Sequence, residues 1–189
     1  MEDNGPLHWL LGIEIRRDCQ NRTISFSQKA YIDAIIEKYG FSDVKPLAMP
    51  ADPHVRLSKD QSPKTTLEIN AMKNKPYAEA VGSLNYTSIA TRPDISYAVS
   101  QVAHYNSDPG TTHWTAIKCI FQYLKGTSDL WLILGHDEEQ TFKGYSDADG
   151  MSTEGRIPIM GYIFFLAGGG LLNGLISSPF PLLKRNTSL

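Results

Sequence analysis

The spacing of apolar and polar positions changes twice along this chain, and each change marks a different kind of structure. In "LHWLLGIEI" and "RTISFS", β-branched and aromatic residues flank the polar break "RRDCQN", which predicts a hairpin of two strands. Ser27 then stands before "QKAYIDAIIEKYG", where Tyr31, Ile35, Ile36 and Tyr39 recur at helical spacing. Ser27 is placed to cap that helix and Gly40 to end it. Residues 43–75 lose the period: Pro46, Pro50, Pro53 and Pro63 sit among Ser, Asp, Lys and Thr, which predicts a long connector. Three helical segments follow, "PYAEAVGSLNYTSIAT", "PDISYAVSQVAHYN" and "TTHWTAIKCIFQYLKG", separated at Pro93 and at "SDPG".

After Gly126 the pattern reverts to strands, in "LWLIL", "TFKGYSDAD" and "IMGYIFFLA", joined by polar loops. The closing "GGGLLNGLISSPFPLLKRNTSL" matches none of these patterns, and no segment repeats. The fold class expected is therefore α+β: an N-terminal β-hairpin and helix, a central helical bundle, and C-terminal antiparallel strands. The corresponding segments are 1–42, a linker at 43–75, helices at 76–126, strands at 127–169, and a tail at 170–189.

Composition narrows this picture without changing it. A chain of 189 residues with 41% hydrophobic content supports one generous core or two small ones. The net charge of −2 announces no nucleic-acid partner, so any such contact must rest on local patches. Cys19 and Cys119 are a hundred residues apart with no companion at ligand spacing, which argues against a disulfide framework or zinc site and for reduced thiols. The longest apolar run, "YIFFLAGGGLL", is short of a bilayer span and carries glycines. No membrane association is expected, and the chain reads as intracellular, cytoplasmic or nuclear. His8, His54, His104, His113 and His136 are scattered without a positioned Ser or Cys, so surface or packing roles are expected of them.

One short stretch carries candidate chemistry. In "FKGYSDADG", Asp147 and Asp149 are two residues apart on a strand and so face the same side. Two carboxylates do not complete a two-ion site, because hard cations demand many oxygen ligands from several elements.

Five segments together, "GPLHWLLGIEI", "SQKAYIDAII", "VGSLNYTSIATRPDISYAVSQVAHY", "HWTAIKCIFQYLKGT" and "GYSDADG…GYIFFLAGG", resemble the Pol polyprotein of copia-type LTR retrotransposons. The likeness covers roughly residues 3 to 169 in order, and points to the end of a reverse transcriptase running into its ribonuclease H domain. It implies that the hairpin at 7–27 is similar to a primer grip, with Trp9 and Gly12 among its nucleic-acid contacts. The helices after residue 76 look like a thumb and connection. Gly82 and Tyr86, four apart on one helical face, then offer a side-chain-free approach beside a ring that packs on a sugar. The implied partner is an RNA/DNA hybrid or DNA, recognised by shape and backbone.

Arg92 and Asp94 in "TRPDI" read instead as a cap and salt bridge. The family commonly has "KRILRYLKGT" where this chain has "KCIFQYLKGT", so Cys119 and Gln122 replace arginines and leave Lys118 and Lys125 as the cations there. Fewer phosphate contacts weaken binding and flatten its salt dependence. The resemblance assigns Asp147 as the first catalytic and metal-binding acid of a ribonuclease H centre that uses Mg²⁺, with Asp149 as its turn neighbour. The family's later acids, in a helix opening Thr-Glu-Ala-Glu-Tyr-Val-Ala, and its upstream polymerase aspartates are not in this sequence. The expectation is a retrotransposon fragment inactive as polymerase and nuclease, with a hybrid-binding module or a residual Mg²⁺-dependent ribonuclease H as alternatives. Its strand region, with Pro158 lacking a ladder donor, is expected to leave an edge unpaired and Phe164 and Phe165 uncovered.

Regrouped by one base, codons for "FPLLKRNTSL" permit Leu-Ser-Thr-Thr-Glu-Ala-Glu-Tyr-Val-Ala, the missing helix. A frameshift or mis-set exon edge between about Gly169 and Phe180 is therefore expected, with Lys184 encoded where the catalytic Glu belongs. The nucleotide sequence decides it: Leu183 to Leu189 should read CTG, AAG, CGG, AAT, ACG, TCG and CT followed by any base, and other codons refute the shift.

Overall fold

The computed structural model describes residues 5–135, 142–149, 159–166 and 169–177. The chain is α+β. Its described residues form two compact units, one from the N-terminal residues up to Asp18 together with Ile24–Ile133, the other from Cys19–Thr23 and the strands after Leu134.

The first unit opens with more strands than the sequence pattern predicted. "LHWLLGIEI" is not one strand but two, β1 (Trp9–Leu10) and β2 (Ile13–Asp18), paired antiparallel with Trp9 opposite Glu14 and Leu10 opposite Ile13. The turn between them has only Leu11 and Gly12, both at positive φ, 51° and 79°. Two-residue turns of this hand match the twist of the flanking strands, but they require left-handed backbone, which Gly adopts freely and Leu does not. An apolar residue at the first turn position hides the signal that Asn-Gly would give. β3 (Thr23–Ser27) completes the expected hairpin, and β4 (Leu132–Gly135) joins the sheet in the order β1-β2-β3-β4. Arg16 lies 4.2 Å over the Trp131 ring.

Helix α1 (Lys29–Lys38) forms where expected, and the Lys29 N–H donates to Ser27 Oγ at 3.2 Å. Gly40, at φ 73°, ends it, with the Phe41 N–H reaching back to the Ile36 carbonyl. Helices α3 (Tyr77–Ala90), α4 (Ser96–Ala103) and α5 (Thr111–Gly126) follow the three predicted segments. The second begins with a 3-10 turn over Pro93–Ile95, because proline supplies no N–H and the chain must turn before α4. Their apolar faces meet α1 in one core containing Ile32, Ile36, Leu84, Ile95, Val99, Ile117, Phe121 and Leu124. Phe41 stacks on Phe121 at 4.9 Å and lies 6.2 Å from Trp114.

The proline-rich connector contains structure of its own. A helix, α2 (Thr66–Lys73), starts at a capping box in which Thr65 Oγ1 accepts from the Glu68 N–H and Glu68 accepts from the Thr65 N–H. Eight residues are too few for periodicity to reveal, yet Met72 reaches the core. The rest of the connector is clipped to α5. Gly110 packs so closely on Gln61 that an added Cβ would lie 1.9 Å from its carbonyl oxygen. His113 is fully buried, accepts from the Gly110 N–H at Nδ1 (2.8 Å), donates from Nε2 to the Ser58 carbonyl (3.1 Å), and stacks on Tyr105.

Arg92 is 3% exposed and closes the junction between α3 and α4. Its guanidinium donates to both Asp94 oxygens (3.0 and 2.8 Å), to the Thr127 carbonyl (2.8 Å) and to Thr127 Oγ1 (2.6 Å). Tyr123 adds a hydrogen bond to Asp94 at 2.7 Å. Burial raises a carboxyl's pKa, but the bonds from Arg92 and Tyr123 and the adjacent positive charge outweigh it and hold Asp94 below its ordinary value.

In the second unit, β5 (Phe142–Asp149), β6 (Ile159–Leu166) and β7 (Gly169–Ser177) form an antiparallel sheet with β6 in the centre. The glycine-rich stretch, which matched no pattern in the sequence, pairs with β6 as far as Ser177, so β6 has a partner on both sides. Backbone pairing needs no side-chain period, which is why a glycine-rich strand escaped notice. Nor is Phe164 bare. It faces Gly144 across the ladder, covers the space a Cβ there would fill, and stacks on Phe142 at 5.5 Å. Phe165's side chain, Pro158, Lys184 and the rest of 178–189 lie outside the described residues.

Two stability measurements follow. Asp94→Asn preserves shape but removes the charge that balances Arg92, and is expected to cost about 2–4 kcal/mol, somewhat less than for a fully buried pair because Asp94 is partly exposed. Urea denaturation reads it, and parental stability would mean that Thr127 alone satisfies the guanidinium. Burial holds His113 below its ordinary pKa against the opposing effects of the Ser58 bond and Asp108. The unfolded chain binds that proton first, so this stability is complete above pH about 6.5 and is lost as pH falls through the lowered native value. Parent and His113→Asn, compared in urea at pH 7.5, 6.5 and 5.5, should converge as the pH falls, whereas a constant gap excludes the linkage.

Candidate nucleic-acid interface

The residues singled out in the sequence fall at three places. At the tip of the β1–β2 hairpin, Trp9, Leu10 and Leu11 are exposed, by 54%, 49% and 79% of their surfaces, and Leu7 beside them by 56%. Side chains this apolar on a short hairpin form a contact surface rather than a core. Gly12 closes the tip at positive φ, a backbone that glycine adopts without strain.

On α3, Gly82 and Tyr86 share a face as expected, but their situations differ. Gly82 is exposed, and a Cβ there would meet nothing within 4 Å. Tyr86 is half-buried. Its hydroxyl donates to the Leu11 carbonyl and its ring meets Tyr31 edge-on at 5.1 Å. The pair is therefore an open spot beside a ring already engaged with the hairpin.

On α5 the two lysines also part company. Lys118 is exposed. Lys125 donates to the carbonyls of Ser42 and of Val44, the latter at 2.8 Å, so its charge holds the connector instead of standing ready for a phosphate. Gln122 donates to the Lys45 carbonyl at 3.1 Å, and Gly126 lies against Pro46, where a Cβ would approach to 2.9 Å. Cys119 is half-buried, and burial, with Asp52 nearby in charge, raises its thiol. This side of α5 is thus packed by residues 42–47, a use that the spacing of "KCIFQYLKGT" gave no sign of, because the partner is distant in sequence.

The chain is 38% identical over 172 residues to the retrovirus-related Pol polyprotein from transposon TNT 1-94 of Nicotiana tabacum, covering 90% of this chain and 13% of that protein. It is 34% identical over 169 residues to the corresponding polyprotein from transposon RE2 of Arabidopsis thaliana, covering 88% and 11%. The chain belongs to the copia-type retrotransposon Pol family. It spans only about an eighth of those Pol relatives' length. A third similar protein, secreted RxLR effector protein 161 of Plasmopara viticola, is 41% identical over 99 residues, 52% of this chain and 70% of that one. No protein-family model matches the chain, and no solved structure does.

In this Pol chain the acid singled out, Asp147, lies on β5 opposite Gly161 and is exposed. Asp149 is the last residue of the strand, opposite Ile159. Among the described residues no three His, Cys, Asp or Glu side chains come together as metal ligands. The described part of the Pol chain does not by itself fit a two-ion centre. None of its described helices is long and apolar enough to cross a membrane.

Proposed function

We propose that this chain carries the primer-grip, thumb and connection-like part of a copia-type reverse transcriptase, followed by the first strands of its ribonuclease H domain. By itself it neither polymerises nor cuts. Alignment with the Pol polyproteins over nine-tenths of the chain supports the assignment. The silence as an enzyme is supported by chemistry: a two-ion nuclease needs several convergent carboxylates, and among the described residues Asp147 is exposed and belongs to no group of three metal-ligating side chains.

What the chain retains on this reading is a surface for the backbone and shallow groove of a hybrid duplex. The exposed tip at Trp9–Leu11 and the open spot at Gly82 favour contact by shape and apolar packing. Of the two cations expected on α5, Lys125 is tied to the connector and Lys118 is exposed; with one or two phosphates neutralised there, affinity should fall about three- to tenfold between 50 and 200 mM salt.

Fluorescence anisotropy with a labelled RNA/DNA hybrid at both salts measures this, beside a cleavage assay with Mg²⁺. Weak, shallow-sloped binding without cleavage is the expected result. Mg²⁺-dependent cleavage that Asp147→Asn abolishes would overturn the enzymatic silence. A total lack of binding at low salt would overturn the binding reading.

A further inference from the structure

The sequence offers Tyr86 as a ring that packs on a sugar, yet the structure gives its hydroxyl another task. A phenol has one proton to donate, and that of Tyr86 goes to the carbonyl of Leu11 at the hairpin tip. Leu11 is the residue that most needs holding. It sits at φ 51°, in left-handed backbone that a leucine adopts only when its surroundings over-determine it. Its side chain is 79% exposed, so packing of that side chain does not supply the constraint. The constraint comes from the backbone side, through its carbonyl. The Tyr86 ring is in turn fixed edge-on against Tyr31 of α1, 5.1 Å away.

We propose that Tyr86 is a positioning residue: through the Leu11 carbonyl it locks the β1–β2 tip against α3, presetting Trp9, Leu10 and Leu11 as one apolar platform for the duplex. The platform's ligand rests on the function proposed above; the lock itself does not. β1 is a two-residue edge strand paired with β2 on one side, so few ladder bonds hold the tip, and an apolar tip left loose orders only on binding, at a cost in affinity. A tip held in place beforehand avoids that cost.

Tyr86→Phe in the full chain separates the two halves of the proposal, because it keeps the ring and removes only the hydroxyl. Hydrogen exchange across residues 7–15 should speed up about fivefold, the size of one net hydrogen bond, while exchange in α4 and α5 stays unchanged. Adding Leu11→Asn, which tolerates left-handed backbone, should restore slow exchange at the tip of the Phe variant. Hybrid affinity, read by anisotropy, should weaken by a similar factor in Tyr86→Phe. Unchanged exchange at 7–15 would overturn the lock. Faster exchange with unchanged hybrid affinity would overturn the platform. Failure of the parent chain to bind hybrid at all would reject the proposed function and the platform with it, while the exchange data still decide the lock.

Discussion

A positive charge enclosed by the protein governs the architecture of the helical unit. The Arg92 guanidinium is almost entirely removed from water, and a charge in that position is tolerable only when it is paired and hydrogen-bonded. Its partners come from two places far apart in the chain: Asp94 within the α3–α4 turn, and the carbonyl and hydroxyl of Thr127 at the end of α5. The end of a helix carries exposed carbonyls and a partial negative charge, so the cation is well sited there. Satisfying one side chain therefore fixes where α5 ends against the α3–α4 corner, and Tyr123, 5.5 Å from the guanidinium and bonded to Asp94, completes the arrangement.

From that fixed point the connector follows. Segments 42–47 and 58–62 have too few apolar residues to bury themselves, so they are held by polar clips along α5: Lys125 and Gln122 at one end, His113 and Gly110 at the other. The consequence is local: the side chains of Lys125 and Gln122 are spent on backbone carbonyls of the connector.

The second unit follows simpler rules. A glycine-rich strand and a phenylalanine laid over a glycine keep β6 paired on both sides. Asp147 is displayed on that sheet rather than enclosed by it. An exposed carboxylate is hydrated and holds a hard cation weakly; function as a metal ligand requires neighbours that concentrate several oxygens at one point.

Local pattern by itself determined the α+β class, the helices at α1, α3 and α5, and the hairpin. In each, the side-chain period and its Gly, Pro or Ser punctuation are short-range properties that no distant contact has to supply. The salt bridge of Arg92 with Asp94 was legible for the same reason, since only Pro93 separates them. Tertiary structure decided the rest. Whether Tyr86 meets a sugar or the Leu11 carbonyl depends on where a hairpin seventy-five residues earlier is folded. Whether Lys125 is a phosphate contact or a clip depends on the path of a connector some eighty residues away. A donor's chemistry is written in its residue type, but its partner is chosen by the fold, because hydrogen bonds and charges act over a few ångströms of space and not along the chain.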